Sequence, residues 1–149
     1  MTIDKEVAAL KKVPLFQGID SSKLRLLAFI SERVEFQDGE SLCLQGDEGD
    51  SAFVIMEGEA QVFVDGEEVA RVGQYAVVGE IAILCDVPRI ATLTAHGRMS
   101  VLSISKDKFL QMLKEFPEIS LEVMRFLARR LESTTRSLAE AKAQQRNGG

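Results

Sequence analysis

From Arg33 to Ser103 the chain is cut every few residues by turn-forming clusters, and this limits its fold more than any other feature. Asp38-Gly39 divides Val34–Phe36 from Ser41–Leu44, and the polar run Gly46-Asp47-Glu48-Gly49-Asp50 precedes Ala52–Met56. Gly58 precedes Ala60–Val64, where Ala60, Val62 and Val64 alternate with Gln61 and Phe63. Asp65-Gly66 has the composition of a type I′ hairpin turn leading into Glu67–Val72. Ile90–Ala95 and Met99–Ile104 then stand on either side of His96-Gly97-Arg98. Short strands with turns at this spacing predict an all-β barrel or sandwich.

On both sides of this region the apolar period becomes helical. Val7, Leu10 and Val13 share a face before Pro14 stops the first helix. Asp20 or Ser21 can cap a second, with Leu24, Leu27, Ala28 and Ile30 as its stripe. Past the strands, Phe109, Leu110 and Leu113 mark a helix running up to Glu115. Pro117 suits the first turn of a longer one, in which Ile119, Val123, Phe126, Leu127 and Leu131 recur and Leu138 extends the stripe. The polar tail beyond Ala143 is expected to fray. The expected fold class is α+β, a small double-sheet, jelly-roll-like β-barrel flanked by N-terminal helices and a C-terminal helix pair. The boundaries are helices at about 3–31, strands at about 33–104 and helices at about 106–145, all in one domain spanning 1–149.

Composition excludes several classes. A net charge of −5 leaves no basic surplus for nucleic acid, and no apolar run approaches a membrane span. The N-terminus MTIDKEVAALKK mixes both charge signs and lacks a signal-peptide core. Cys43 and Cys85 stand alone in apolar surroundings without CxxC spacing, so two buried free thiols and a reducing cytoplasm are expected. Asp47, Glu48 and Asp50 lack the ordered ligand pattern of a calcium loop and read as a solvated turn. His96 is the single histidine, so no metal site is expected and an enzyme is the weakest reading.

The chemistry concentrates in Gly73–Ala95, GQYAVVGEIAILCDVPRIATLTA. Gly79 lets an anion approach the backbone, and a short helix from Glu80 to Leu84 would turn its free N–H groups toward it. Arg89 adds a permanent cation whose fork of donors suits phosphate oxygens. Glu80 would repel an anion, but it makes sense as an acceptor for a sugar hydroxyl with Arg89 compensating its charge. A mutual Glu80–Arg89 ion pair is the alternative.

These residues resemble the phosphate-binding cassette of the cyclic nucleotide-binding domain family, in which G-E-apolar-A-apolar is followed by P-R-small-A-T. Gly79, Glu80, Ile81, Ala82 and Ile83, then Pro88, Arg89, Ala91 and Thr92, carry the match. The resemblance implies that Glu80 holds a ribose 2′-hydroxyl and Arg89 the cyclic phosphate. Gly79, Ile81, Ala82, Ile90 and Ala91 complete that end of the site. It extends from about Leu15 onward through Gly46–Asp50 and Ala52–Glu59. Val78 replaces the usual aromatic, and Gly73 to Gly79 is longer than the usual connection.

Farther on, Ala128 to Thr135 (ARRLESTT) resembles the long helix of the bacterial catabolite activator group. There a hydroxyl pair meets the base and the helix pairs with its twin across a dimer. Carried over, Thr134 and Thr135, with Val62, become base-pocket candidates. That group continues into a helix-turn-helix segment absent from this sequence, so DNA binding is not carried over.

The expected function is a non-enzymatic sensor that binds a cyclic nucleotide and signals through its C-terminal helix as a homodimer to an unidentified protein. No cofactor, nucleic acid or membrane is expected to take part. The alternative is a degenerate interaction module with an empty pocket. Family members that favour cGMP often place Thr after the Arg; Ile90 stands there, which implies a preference for cAMP.

Overall fold

The computed structural model describes residues 3–148. Helix α1 (Ile3–Leu10), a 3-10 turn (Pro14–Phe16) and α2 (Ser21–Ile30) come first. The strands follow as β1 (Glu32–Phe36), β2 (Ser41–Cys43), β3 (Ser51–Val64), β4 (Glu67–Val72) and β5 (Val77–Val78). Helix α3 (Glu80–Leu84) interrupts them before β6 (Thr92–Ser105), and α4 (Lys106–Glu115) and α5 (Pro117–Gly148) close the chain. Asp20 does cap α2, its carboxylate accepting the Lys23 N–H at 3.1 Å.

Six antiparallel strands form one hydrogen-bonded sheet in the order β1-β6-β3-β4, with β2 also on β6 and β5 on β3. The four separate strands expected around Gly58 and Gly97 are two 14-residue strands, β3 and β6. Gly58 does not end β3: the register shifts on both sides of Glu57, and the chain continues through a bulge at a φ of 96°. A Cβ on Gly58 would stand 2.5 Å from that of Met99, so only glycine fits against β6 there. Such bulges bend a sheet, and here they let one sheet roll over itself. The β3–β4 hairpin turns at Asp65 (φ 52°) and Gly66 (φ 83°), the paired positive φ angles of a type I′ turn.

Strand alternation divides the core. Ala52, Val54 and Met56 of β3, with Leu102 and Ile104 of β6, face the helices and pack with Leu10, Leu24, Phe109 and Ile119. Phe53 and Ile55, with Leu93, Ala95, Met99 and Val101, fill the inside of the roll. The helices therefore lie on one face, and the interior opens toward α3.

Two expectations need correction. Helix α5 does not fray after Ala143 but continues to Gly148. Of the two free cysteines, Cys43 is half-buried while Cys85 is exposed, because it ends α3 beside the tight turn at Asp86 (φ 51°). No described helix is long and apolar enough to cross a membrane. No group of three metal-ligating side chains occurs among the described residues.

Candidate ligand-binding site

Gly79 sits at the N-cap of α3 with a φ of 83°, a conformation that strains any side chain. A Cβ there would lie 2.6 Å from Nη1 of Arg89 and 3.2 Å from the Ser51 carbonyl. The glycine thus makes room for the arginine.

Arg89 is only 4% exposed. It donates to the carbonyls of Ser51 (2.7 Å) and Gly79 (3.1 Å), and reaches the Asp50 carboxylate at 3.4 Å. Its guanidinium lies 5.6 Å from the centroid of the Phe53 ring. Its backbone is clamped too: the Arg89 N–H donates to the Asp47 carbonyl, and the Gly46 N–H to the Arg89 carbonyl, both at 2.8 Å. The acidic loop read as a solvated turn is therefore the seat of Arg89. The carbonyls of Ser51 and Gly79 orient the guanidinium without neutralising it, and the Asp50 side chain is 86% exposed, so its charge is well screened. A buried cation held this way retains its pull on an anion.

Glu80 is 3% exposed and its partner is not Arg89. Its Oε1 accepts from Nη1 of Arg130 on α5 at 2.7 Å. The ion pair left open as an alternative is thus replaced by one that ties the cassette to the C-terminal helix. Arg130 was missed, although it stands within ARRL. Its spacing of four residues from Thr134 was the available signal, since residues so placed share a helix face.

Gly79, Glu80, Ile81, Ala82, Arg89, Ile90, Ala91 and Val62 all line one cavity of about 190 Å³. Ala70, Val72 and Leu93 extend its apolar wall, and Arg130 and Cys43 also border it. Thr134 and Thr135 do not line this cavity; both are exposed, about one turn beyond Arg130 on α5. The cavity thus offers a cation and a carboxylate together with an apolar wall. That combination suits a small anion bearing a hydroxyl and a planar apolar group.

Cys43 supplies a reporter. Burial pushes its thiol above the usual cysteine range, and the nearby Arg89 cation only partly offsets this. Less of it is therefore thiolate at neutral pH, and alkylation by iodoacetamide is expected to lag behind that of exposed Cys85 and to accelerate as pH rises. A ligand in the cavity should slow Cys43 and leave Cys85 unchanged, as read by peptide mass spectrometry. Equal slowing of both would show that the ligand does not sit beside Cys43.

The cyclic nucleotide-binding domain model matches residues 33–116. A cAMP-dependent protein kinase regulatory subunit from Mucor circinelloides f. lusitanicus is 34% identical over 108 residues, covering 70% of this chain and 25% of that protein. A CRP-like cAMP-activated global transcriptional regulator from Mycobacterium tuberculosis is 29% identical, covering 88% of this chain and 61% of that one. The chain therefore spans less than two thirds of the length of either relative. The N-terminal domain of a transcriptional regulator from Streptomyces coelicolor A3(2) superposes with a TM-score of 0.69 at 32% identity, covering 85% of this chain and 94% of that domain. This chain belongs to the cyclic nucleotide-binding domain family.

Proposed function

We propose that the chain is a regulatory sensor module that takes cAMP in preference to cGMP and passes the binding event to α5. The observation that carries this is the burial of Glu80 and Arg89 at one end of a single cavity. Arg89 would hold the cyclic phosphate, Glu80 the ribose hydroxyl, and the wall of Val62, Ala70 and Val72 the base. The two curated relatives, whose names carry cAMP, support the ligand. The competing reading, a pocket that stays empty, draws on the fact that Glu80 and Arg89 already have protein partners. Titration with cAMP separates the two.

The base preference rests on Ile90, which lines the cavity and has no side-chain hydrogen bond to offer guanine. In competition titrations cAMP should bind more tightly than cGMP, and Ile90→Thr should narrow the gap. Equal affinities for the wild-type chain would remove this argument.

Transmission rests on α5. Arg130 bonds to Glu80 from this helix, so a ligand sharing Glu80 would bind one helix position better than another, and only such a difference shifts a population. Met124, Leu131 and Leu138 recur every seven residues and are 60%, 68% and 62% exposed. One face of α5 is thus left for a second copy, in a homodimer through residues 119–138. Thr134 and Thr135, exposed in one chain, would meet the base only from a moved helix or from that second copy. We expect cAMP to raise hydrogen-exchange protection across Leu131–Leu138. Replacing both threonines by Ala should weaken cAMP binding by about 0.5–3 kcal/mol. Unchanged exchange in α5 would make the helix purely structural. From α5 the signal would pass to another protein or to a further part of a longer chain, and no cofactor is required for that.

A further inference from the structure

Part of the cavity's apolar wall hangs on the edge of the sheet. Ala70 and Val72 lie on β4, which pairs with β3 alone among the described residues. Val62 and Ala70 stand opposite each other where the β3–β4 register shifts, and a bulge of this kind lets a hairpin bend. β3 is held to β6 as far as Phe63, opposite Thr92, and the turn at Asp65 and Gly66 projects beyond that last pair. Gln61 donates to Glu68 at 3.4 Å and Arg71 to Glu59 at 3.3 Å, but all four residues belong to the hairpin and move with it. The position of β4 and its turn is therefore fixed from outside the sheet.

The tie comes from Gln45, in the loop after β2. Its side-chain amide is paired twice with Asp65: Nε2 donates to the carboxylate at 2.9 Å, and Oε1 accepts the Asp65 N–H at 2.8 Å. An amide both donates and accepts, which matches a carboxylate and an N–H presented together. The Gln45 N–H donates to the Thr92 hydroxyl at 2.9 Å, at the start of β6. The next residue, Gly46, donates its N–H to the Arg89 carbonyl at 2.8 Å. Gln45 is thus fastened by its backbone to the segment that carries Arg89, and by its amide to the tip of the hairpin.

We propose, on the reading that the cavity takes a cyclic nucleotide, that Gln45 is a positioning residue for that ligand. Its clasp on Asp65 sets how closely the wall of Val62, Ala70 and Val72 stands to Arg89, so that base and phosphate are gripped together. Both residues of the clasp are exposed, so breaking it leaves the buried core intact and its effect is expected in affinity.

The test exchanges the partners of the clasp in the full chain. In Gln45→Glu a second carboxylate faces that of Asp65, so one hydrogen bond is lost and the oxygens repel. Asp65→Asn alone keeps the acceptor, and Asn-Gly remains a favoured type I′ pair. With both substitutions the bond re-forms with donor and acceptor exchanged. Each protein is titrated with cAMP by calorimetry well below its melting temperature, and amide hydrogen exchange is followed without ligand. Gln45→Glu should weaken cAMP binding about fivefold, the effect of one modest hydrogen bond, and speed exchange across β4. Asp65→Asn should stay near wild type, and the double variant should recover both affinity and protection. A residue with only a structural role would lower the melting temperature without changing cAMP affinity. The proposal is overturned if Gln45→Glu keeps wild-type affinity, if its β4 exchange is unaltered, or if Asp65→Asn fails to restore what Gln45→Glu loses. Absence of cAMP binding by the wild-type chain would instead defeat the nucleotide reading, and β4 exchange then decides the clasp by itself.

Discussion

Replacing Arg89 by Ala is expected to weaken cAMP binding by about 2–5 kcal/mol, the range for removing one partner of a sheltered, hydrogen-bonded charge pair. The guanidinium is 4% exposed, so water would screen little of its attraction for a phosphate. The same substitution strips the carbonyls of Ser51 and Gly79 of their donors, so the ligand-free protein should also melt at a lower temperature. The two effects separate in a titration carried out well below the variant's melting temperature. Arg89→Lys should restore only part of the affinity, because one ammonium cannot serve two oxygens as the fork does. Wild-type affinity in a folded Arg89→Ala protein would remove the phosphate assignment.

The next largest effect is expected at Glu80, and it is read with a pair of ligands. If its carboxylate accepts from the ribose, wild-type protein should prefer cAMP to 2′-deoxy-cAMP by about 1.5–3 kcal/mol, the range for a hydrogen bond to a charged group. In Glu80→Ala that preference should vanish, with both ligands bound at the weaker level. The variant should remain folded, since the Arg130 side chain left behind is already 51% exposed. An undiminished gap between the two ligands in Glu80→Ala would place the ribose elsewhere.

Features set by local chemistry were legible in the sequence. Asp65-Gly66 could be read as a type I′ turn because few residue pairs tolerate two positive φ angles, and both are positive. The glycine before Glu80 was read as a backbone position, and the helix expected from Glu80 to Leu84 is α3. What depends on a distant neighbour was not legible. Gly58 and Gly97 look like turns, yet whether a glycine ends a strand or bulges within it is decided by the strand opposite. The seat of Arg89 is built largely from carbonyls of Gly79 and of the loop at Asp47 and Ser51, a group every residue possesses, so no residue type marks it. Arg130 and Glu80 are fifty positions apart, and their pairing is a product of α5 folding back over the cassette. Cys85 follows four apolar residues, which suggest burial, but as the C-cap of α3 before the turn at Asp86 it is exposed.

Calorimetric titration of the full chain with cAMP, cGMP and cyclic dinucleotides, repeated on Arg89→Ala, tests the central claim most directly. The account predicts saturable binding of one cAMP per chain, weaker binding of cGMP, and a large loss of cAMP affinity in the variant. Absence of saturable cAMP binding by the folded wild-type chain, or the same affinity in both proteins, would contradict it.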